Sequence, residues 1–187
     1  MRIRRGATRR WATGLIGGVT VAMATALAGM TLLAPVAAAD PQSDATDAIT
    51  AAWTAAGGDG SPLGAKDGDL YPAGSGFGQN FAGGAIFFSP DTGAKIMYGA
   101  ILDKYRALGG PADSDLGFPT IDEGPGRINP ESRNSTFSAA DQPVIFWTPD
   151  TGAWVVRGAV NAAWDRLGGS AGVLGVPTGD ETYDGSV

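Results

Sequence analysis

The chain has 187 residues, 13 of them basic and 19 acidic, and it contains neither histidine nor cysteine. Without these two residue types there is no Ser-His-Asp triad, no thiol nucleophile, no disulfide and no soft metal site. The length favours one domain, and the 30 glycines predict frequent turns.

The N-terminal segment predicts an export signal. Five arginines lie in the first ten residues, no charged residue follows until Asp40, and Ala37-Ala38-Ala39 matches the small-residue cleavage pattern. We expect residues 1–39 to be a signal peptide and residues 40–46 a short linker, with a secreted or cell wall-associated protein as the product. The alternative is a retained membrane anchor, because the uncharged run is long enough to span a bilayer.

The predicted mature chain is acidic. All 19 acids lie in residues 40–187, whereas five of the 13 bases lie before them, so this part carries eight bases and a net charge of −11. Such a surface repels nucleic acids and anionic lipids. We therefore expect a neutral or cationic partner and no nucleic acid.

Three segments share one helical pattern, in which an apolar residue is followed four residues later by an aromatic residue and three further on by Leu or Ala. They are residues 49–58, 101–110 and 160–169, and each ends in Gly-Gly. This spacing places Trp53, Tyr105 and Trp164 on the apolar stripe of a helix, and the glycine pair predicts a left-handed stop.

A short Leu-Gly signature follows each predicted helix. It reads Leu63-Gly64-Ala65, Leu116-Gly117-Phe118-Pro119 and Leu174-Gly175-Val176-Pro177. The second and third copies continue into Thr-x-Asp-Glu, at residues 120–123 and 178–181, which predicts a turn like a capping box. The first copy differs, with Lys66 and Asp67 in place of Pro and the hydroxyl residue.

Two segments, residues 85–98 and 144–157, contain β-rich runs on either side of a Pro-Asp-Thr-Gly turn. This pattern predicts a β-hairpin in each. The connections from Leu70 to Asn80 and from Ile121 to Thr136 are polar, and we expect them to be surface loops that differ between units and carry specificity.

The Asp-Thr-Gly sequences of the two turns, with Asp91 and Asp150, also match the signature of aspartic proteases. The preceding prolines and the recurrence at the same point of each repeat favour structural turns. A glycosidase pair from Asp122, Glu123, Asp180 and Glu181 is likewise less favoured than a capping role. The Asp-x-Asp pairs at 67/69 and 113/115 lack the spacing of a calcium loop. We predict no catalytic residue, no metal and no cofactor.

Adjacent aromatic residues in the hairpins suggest a binding surface. Because side chains alternate along a strand, one member of each pair should face the core and its neighbour should face away. An outward ring flanked by acids suits a sugar, whereas burial by neighbouring repeats is the alternative. The predicted ligand-binding residues are Phe88, Trp147, Trp154 and Tyr98.

Taken together, these motifs resemble the LGFP repeat family. Leu116-Gly117-Phe118-Pro119 is its literal signature, Leu174, Gly175 and Pro177 match in the third copy, and the resemblance covers about residues 47–187. The resemblance implies an α+β fold of tandem repeats, each a short helix plus a hairpin, and longer members suggest a pseudo-symmetry axis. The units comprise about residues 47–98, 99–157 and 158–187, the third incomplete.

LGFP repeats occur in exported proteins of actinobacteria, where they often follow a catalytic domain and are thought to hold it on the cell wall. The resemblance therefore implies a non-catalytic envelope module that binds wall polysaccharide, either peptidoglycan or arabinogalactan. Two alternatives remain: an accessory subunit that docks on another envelope protein, or on a second copy, through the open third unit, and a carboxylate-based hydrolase.

Overall fold

A computed structural model describes residues 40–126 and 131–181. The predicted signal peptide, residues 1–39, lies outside the described residues and remains a prediction. The described residues belong to one compact unit, Ala38–Val187, which contains both hydrophobic clusters of the protein's core. No helix in this described part is long and apolar enough to cross a membrane.

Helices and antiparallel strands alternate in two similar blocks followed by a further helix. The helices are α1 (Pro41–Ala55), α2 (Gly99–Ala107), the short α3 (Gly110–Asp113) and α4 (Gly158–Arg166). The first sheet contains, in this order, β1 (Lys66–Ala73), β2 (Gly76–Phe81), β3 (Gly84–Ser89) and β4 (Gly93–Tyr98). The second contains β5 (Gly124–Pro125), β6 (Arg133–Thr136), β7 (Val144–Thr148) and β8 (Gly152–Val156). The predicted α+β class and the tandem repeats are confirmed.

Both predicted hairpins form, as β3–β4 and β7–β8. In the first turn the hydroxyl groups of Ser89 and Thr92 lie 2.8 Å apart, and in the second those of Thr148 and Thr151 lie 2.7 Å apart. Each turn also has a backbone N–H bonded to the hydroxyl at the end of the incoming strand. The Asp-Thr-Gly sequences are therefore hydroxyl-closed hairpin turns, as predicted.

The polar connections, as far as they are described, contain two strands each, so each complete unit has four strands rather than one hairpin. Residues 70–80 belong mostly to β1 and β2, and β6 lies within the second connection. Glycine, proline and a register shift between Asp67 and Tyr71 obscure the alternating pattern there. Gly78 is required because a Cβ would lie 2.6 Å from the Tyr71 ring.

Residues 41–46, which the sequence assigned to a linker, are the first turns of α1. Asp40 caps this helix, since its carboxylate accepts a hydrogen bond from the backbone N–H of Gln42 at 3.1 Å. Pro41 occupies the first turn, where its missing N–H costs nothing. This cap and the buried side chain of Ala45 extend the helix beyond the aromatic stripe.

The helices and sheets form alternating layers. On one face of the first sheet, Ile86 and Phe88 pack in a cluster with Ile49 of α1. On the other face Phe87 packs against α2, which also contacts Ile145 of the second sheet. Helix α4 then lies against the outer face of the second sheet, with the rings of Phe146 and Trp164 in an edge-to-face contact at 5.5 Å.

One hydrogen bond recurs in all three units and explains why an aromatic residue is paired with a Leu-Gly turn. The indole N–H of Trp53 donates to the Gly64 carbonyl at 2.9 Å, and that of Trp164 donates to the Gly175 carbonyl at 2.8 Å. In the second unit the hydroxyl of Tyr105 donates to the Gly117 carbonyl at 2.5 Å. Each bond ties a helix to the turn of its own unit.

Candidate functional site

Of the four predicted ligand-binding residues, one lies in the core and a second packs against it. Phe88 is 9% exposed and belongs to the cluster beneath α1. Trp147 is partly buried and packs against the cluster around α2. The alternation along the strands is as expected, but the face that was expected to be open is covered by the helix of a neighbouring layer.

The other two predicted residues lie on the last strand of each sheet. Tyr98 is partly buried against the α1 cluster. Trp154 is partly buried, its indole N–H donates to the Thr151 carbonyl, and the Lys104 ammonium lies 5.3 Å from the centre of its ring. The four residues therefore divide between two sheets, with Phe88 and Tyr98 in the first and Trp147 and Trp154 in the second.

The Asp-Glu pairs bind the edge of the preceding sheet and do not cap a helix. The Asp122 carboxylate accepts the backbone N–H of Ile96 at 2.8 Å, and the Glu123 carboxylate accepts that of Tyr98 at 2.8 Å. The N–H of Glu123 in turn donates to the Ile96 carbonyl at 2.8 Å. We call Asp122 and Glu123, bound to β4 in this way, the edge clip.

A second clip forms in the next unit. Asp180 accepts the N–H of Val155 at 2.9 Å, and Glu181 accepts the N–H of Arg157 at 3.0 Å. Asp180 also pairs with the Lys104 ammonium at 2.5 Å. The capping-box prediction is therefore wrong at residues 120–123, which lead into β5 and not into a helix. In both units the acids bind N–H groups at a sheet edge.

One signal in the sequence could have revealed the clips. The Asp-Glu pair occurs in the two copies that follow a hairpin and is missing from the first, where Lys66 and Asp67 pair with β2 instead. These carboxylates bind the last strand of the preceding sheet. In the first copy they would have nothing to bind, because the described chain has no sheet before it. A capping box would have served all three copies alike.

The edge clip should make stability depend on pH through Glu123. Burial raises the pKa of Glu123, although the N–H of Tyr98 and the charge of Arg133 lower it. The stability that this shift contributes is complete below the ordinary pKa of a glutamate and is lost as the pH rises through the raised value. Glu123→Gln keeps an acceptor for Tyr98 and removes this loss.

We therefore expect the free energy of unfolding of Glu123→Gln to fall less steeply than that of the wild type between about pH 4 and pH 7. Urea unfolding at four pH values measures this slope. Glu181→Gln, at the equivalent exposed position, controls for the loss of one acidic side chain. An unchanged slope in Glu123→Gln would show that burial of Glu123 does not govern the profile.

The acids considered for a calcium site do not gather. Asp115 pairs with the Arg157 guanidinium at 2.8 Å, and Arg157 also binds Asp141, whose pKa it lowers. Among the described residues no group of three or more acids is placed to hold a metal ion. These side chains form ion pairs between the second unit and the start of α4.

A groove of about 450 Å³ lies between the outer face of the second sheet and α4. The rings of Phe146 and Trp164 supply its apolar wall, and Asp165 and Arg166 bring one charge of each sign. Amides and hydroxyls supply the rest of the polar lining, from Asn134, Thr136, Gln142, Asn161 and Ser170. Asn161 is oriented by a 2.9 Å hydrogen bond from its amide to the Gln142 carbonyl. We call this space the α4 groove.

The α4 groove is open because a tyrosine of the first unit is a glycine in the second. In the first sheet Tyr71 pairs with Gly78 and lies over it, against α2. In the second sheet Gly124 takes the same place in the register, opposite Asn134. The missing ring exposes the amide of Asn134 to the groove.

The matching space at the first junction is smaller, about 300 Å³, because the Tyr71 ring lines it. Its polar groups are also engaged with one another. The hydroxyl of Tyr71 and the guanidinium of Arg106 both donate to the Asn80 side chain, at 3.3 and 2.9 Å. Of the two junctions between a sheet and the next helix, the second therefore has the larger space.

Sequence reasoning missed this groove because none of its amides belongs to a repeat motif. The detectable signal was the replacement of Tyr71 by Gly124, which becomes visible only when the strand register is known. Of the predicted hairpin aromatics, Trp147 and Trp154 belong to the sheet that borders the groove, but neither lines it. Phe146, rather than Trp147, is the hairpin residue that lines the groove.

Comparison with known proteins agrees with the repeated architecture. The family model of the LGFP repeat matches residues 62–113 and 116–172, as two tandem repeats. A search of curated proteins gave no significant match. The matched segments cover more than half of the chain, and the LGFP repeat is a non-catalytic repeat family. The chain belongs to the LGFP repeat family.

Proposed function

We propose that this protein is a non-catalytic, exported module that holds a cell-wall glycan in the α4 groove. The observation that carries the proposal is the combination of two aromatic side chains with amides and hydroxyls in one open groove. The family resemblance supplies the class of ligand, since LGFP repeats are associated with the actinobacterial wall. Export rests on the predicted signal peptide.

The lining of the groove suits a saccharide. Sugar rings carry hydroxyls that both donate and accept hydrogen bonds, and the amides of Asn134, Gln142 and Asn161 can meet both needs. The partly buried ring of Trp164 offers apolar contact to the C–H groups of a sugar, and the buried ring of Phe146 supports it from behind. A volume of 450 Å³ lies within the usual range of small-molecule sites, which is roughly 300–1,000 Å³.

Charge favours a neutral stretch of polymer. The predicted mature chain carries a net charge of −11, which repels phosphate-rich polymers, whereas a neutral glycan is unaffected. Asp165 and Arg166 balance each other at the groove itself. Binding should therefore change little with salt.

Filling the α4 groove should abolish binding without unfolding the protein. Gly124→Tyr, combined with Asn134→Gly so that the ring has the room that Gly78 gives Tyr71, restores the Tyr-Gly pair of the first unit, and a Cβ at Gly124 meets no atom closer than 3.8 Å. We expect the fraction that pellets with insoluble mycolyl-arabinogalactan-peptidoglycan to saturate for the wild type. For this double variant the apparent affinity should fall at least about tenfold, because the added ring occupies the place of the ligand and one amide is lost.

The matched control is Gly60→Tyr, because a Cβ at Gly60 meets nothing within 4 Å and lies in the first unit. This variant should pellet like the wild type. Bare peptidoglycan and soluble arabinogalactan, used as competitors, identify the polymer. Equal pelleting of both variants and the wild type would exclude the α4 groove, and no pelleting above an inert protein would exclude wall binding.

A further inference from the structure

The side chains that line the α4 groove differ in burial, and this gives the groove a rim and a floor. Gln142, Asp165 and Arg166 are exposed and form the rim. Phe146 and Ser170 are each only 3% exposed and form the floor. A ligand that fills the groove therefore meets one apolar group and one polar group at its deepest part.

The polar group on the floor has no protein partner. Among the residues that the structure describes, none forms a hydrogen bond with the hydroxyl of Ser170, although 97% of this residue is buried. Burying a hydroxyl without a partner costs free energy, and buried polar groups are almost always bonded to protein, water or a ligand. Because Ser170 lines the groove, a molecule in the groove can supply the missing partner.

The fold itself does not require a hydroxyl at this place. When α2 and α4 are aligned from their first residues, Ser170 stands at the place of Pro111, and Asn161 stands at the place of Leu102. Leu102 is 3% exposed and belongs to the core of the first junction. The first junction is thus built with side chains that form no hydrogen bonds, so the polar groups of the second junction are specific to the α4 groove.

We propose that Ser170 determines the specificity of the α4 groove, because its hydroxyl pairs with an uncharged polar group of a sugar, either a hydroxyl or an acetamido group. This inference rests on the proposed glycan function and adds to it the residue that selects the ligand. A serine hydroxyl both donates and accepts, so it suits either group. A site built around a buried hydrogen bond rejects analogues that lack the bonding group, because its own polar atom is then left unpaired.

A second buried serine allows binding to be separated from folding. Ser135 of β6 is 0% exposed, and its hydroxyl also has no hydrogen-bond partner in the described part of the chain. Ser135 lies opposite Ile145 in the register, and Ile145 packs in the cluster around α2, so both side chains face away from the α4 groove. The two serines therefore share an unpartnered hydroxyl, but only that of Ser170 can reach a ligand in the groove.

Ser170→Ala should weaken glycan binding without destabilising the protein. Pelleting with insoluble mycolyl-arabinogalactan-peptidoglycan gives the apparent affinity, which should fall at least about tenfold, because the bound sugar group loses its partner. The midpoint of urea unfolding should stay the same or rise, since the change removes no hydrogen bond within the described chain. Ser135→Ala is the matched control: its midpoint should also stay the same or rise, and it should pellet like the wild type.

Two soluble competitors identify the bound group. Competition by arabinogalactan points to a sugar hydroxyl, competition by oligomers of N-acetylglucosamine alone points to the acetamido group, and competition by neither would overturn the inference. A Ser170→Ala variant that pellets like the wild type would overturn the role of Ser170 and leave the glycan function standing. A fall in its unfolding midpoint would show a structural role instead, and a wild type that does not pellet would overturn both proposals.

Discussion

Replacing Tyr105 with alanine should lower the free energy of unfolding by about 4 kcal/mol. Tyr105 is fully buried and lies between the two sheets. Its ring makes an edge-to-face contact with Phe87 of the first sheet, at 5.4 Å, and a tilted contact with Phe137 beside the second, at 4.8 Å. The substitution therefore opens a cavity between α2 and both sheets.

The hydroxyl of Tyr105 adds a smaller contribution. It donates to the Gly117 carbonyl at 2.5 Å, and burial raises its pKa, so it remains a donor across the accessible pH range. Tyr105→Phe leaves this buried carbonyl without its partner and should cost about 1–2 kcal/mol. Chemical denaturation gives both values. If the free energies of unfolding of the two variants differ by less than about 1 kcal/mol, packing of the Tyr105 ring between the sheets contributes little to stability.

Removing the edge clip with Asp122→Ala and Glu123→Ala together should lower the free energy of unfolding by about 3 kcal/mol. Each substitution deprives a backbone N–H of β4, at Ile96 or Tyr98, of its acceptor. The loss at Glu123 should be the larger, because its carboxylate is more buried than that of Asp122. The effect arises in the first sheet although the substituted residues belong to the second unit.

Hydrogen exchange locates this effect. The amides of Ile96 and Tyr98 should exchange much faster in the double variant, because they become free N–H groups on a sheet edge. Asp103→Ala, which removes an exposed acid from α2, is the control and should leave both amides protected. Unchanged protection in the double variant would mean that β4 does not depend on the clip.

The extent to which the sequence predicted this fold can be judged from particular residues. Ile49 and Trp53 define a helical stripe, and a Pro-Asp-Thr-Gly turn defines a hairpin, because in both cases the signal lies within ten residues. Strands β1 and β2 gave no such signal. Their pairing depends on Gly78 accepting the Tyr71 ring, which is a contact that local periodicity does not contain.

The candidate site, like the fold, could be predicted from the sequence only where the signal is local. Alternation correctly placed Phe146 and Trp147 on opposite faces of β7, but it could not say which face would be covered by which helix. Helix α4 covers Phe146, and α2 covers Trp147. The α4 groove arises from an imperfect fit between layers at Gly124, and such a fit depends on the packing of units rather than on any one motif.

Nuclear magnetic resonance of the side-chain amides tests the central claim most directly. Soluble fragments of arabinogalactan or peptidoglycan are added to protein labelled with nitrogen-15, and the amide signals of Asn134, Gln142 and Asn161 are followed. We predict that these signals shift in a saturable way, while that of Asn80 at the first junction does not move. Shifts confined to the indole of Trp154 and the surroundings of Tyr98, or no shift at all, would contradict glycan binding in the α4 groove.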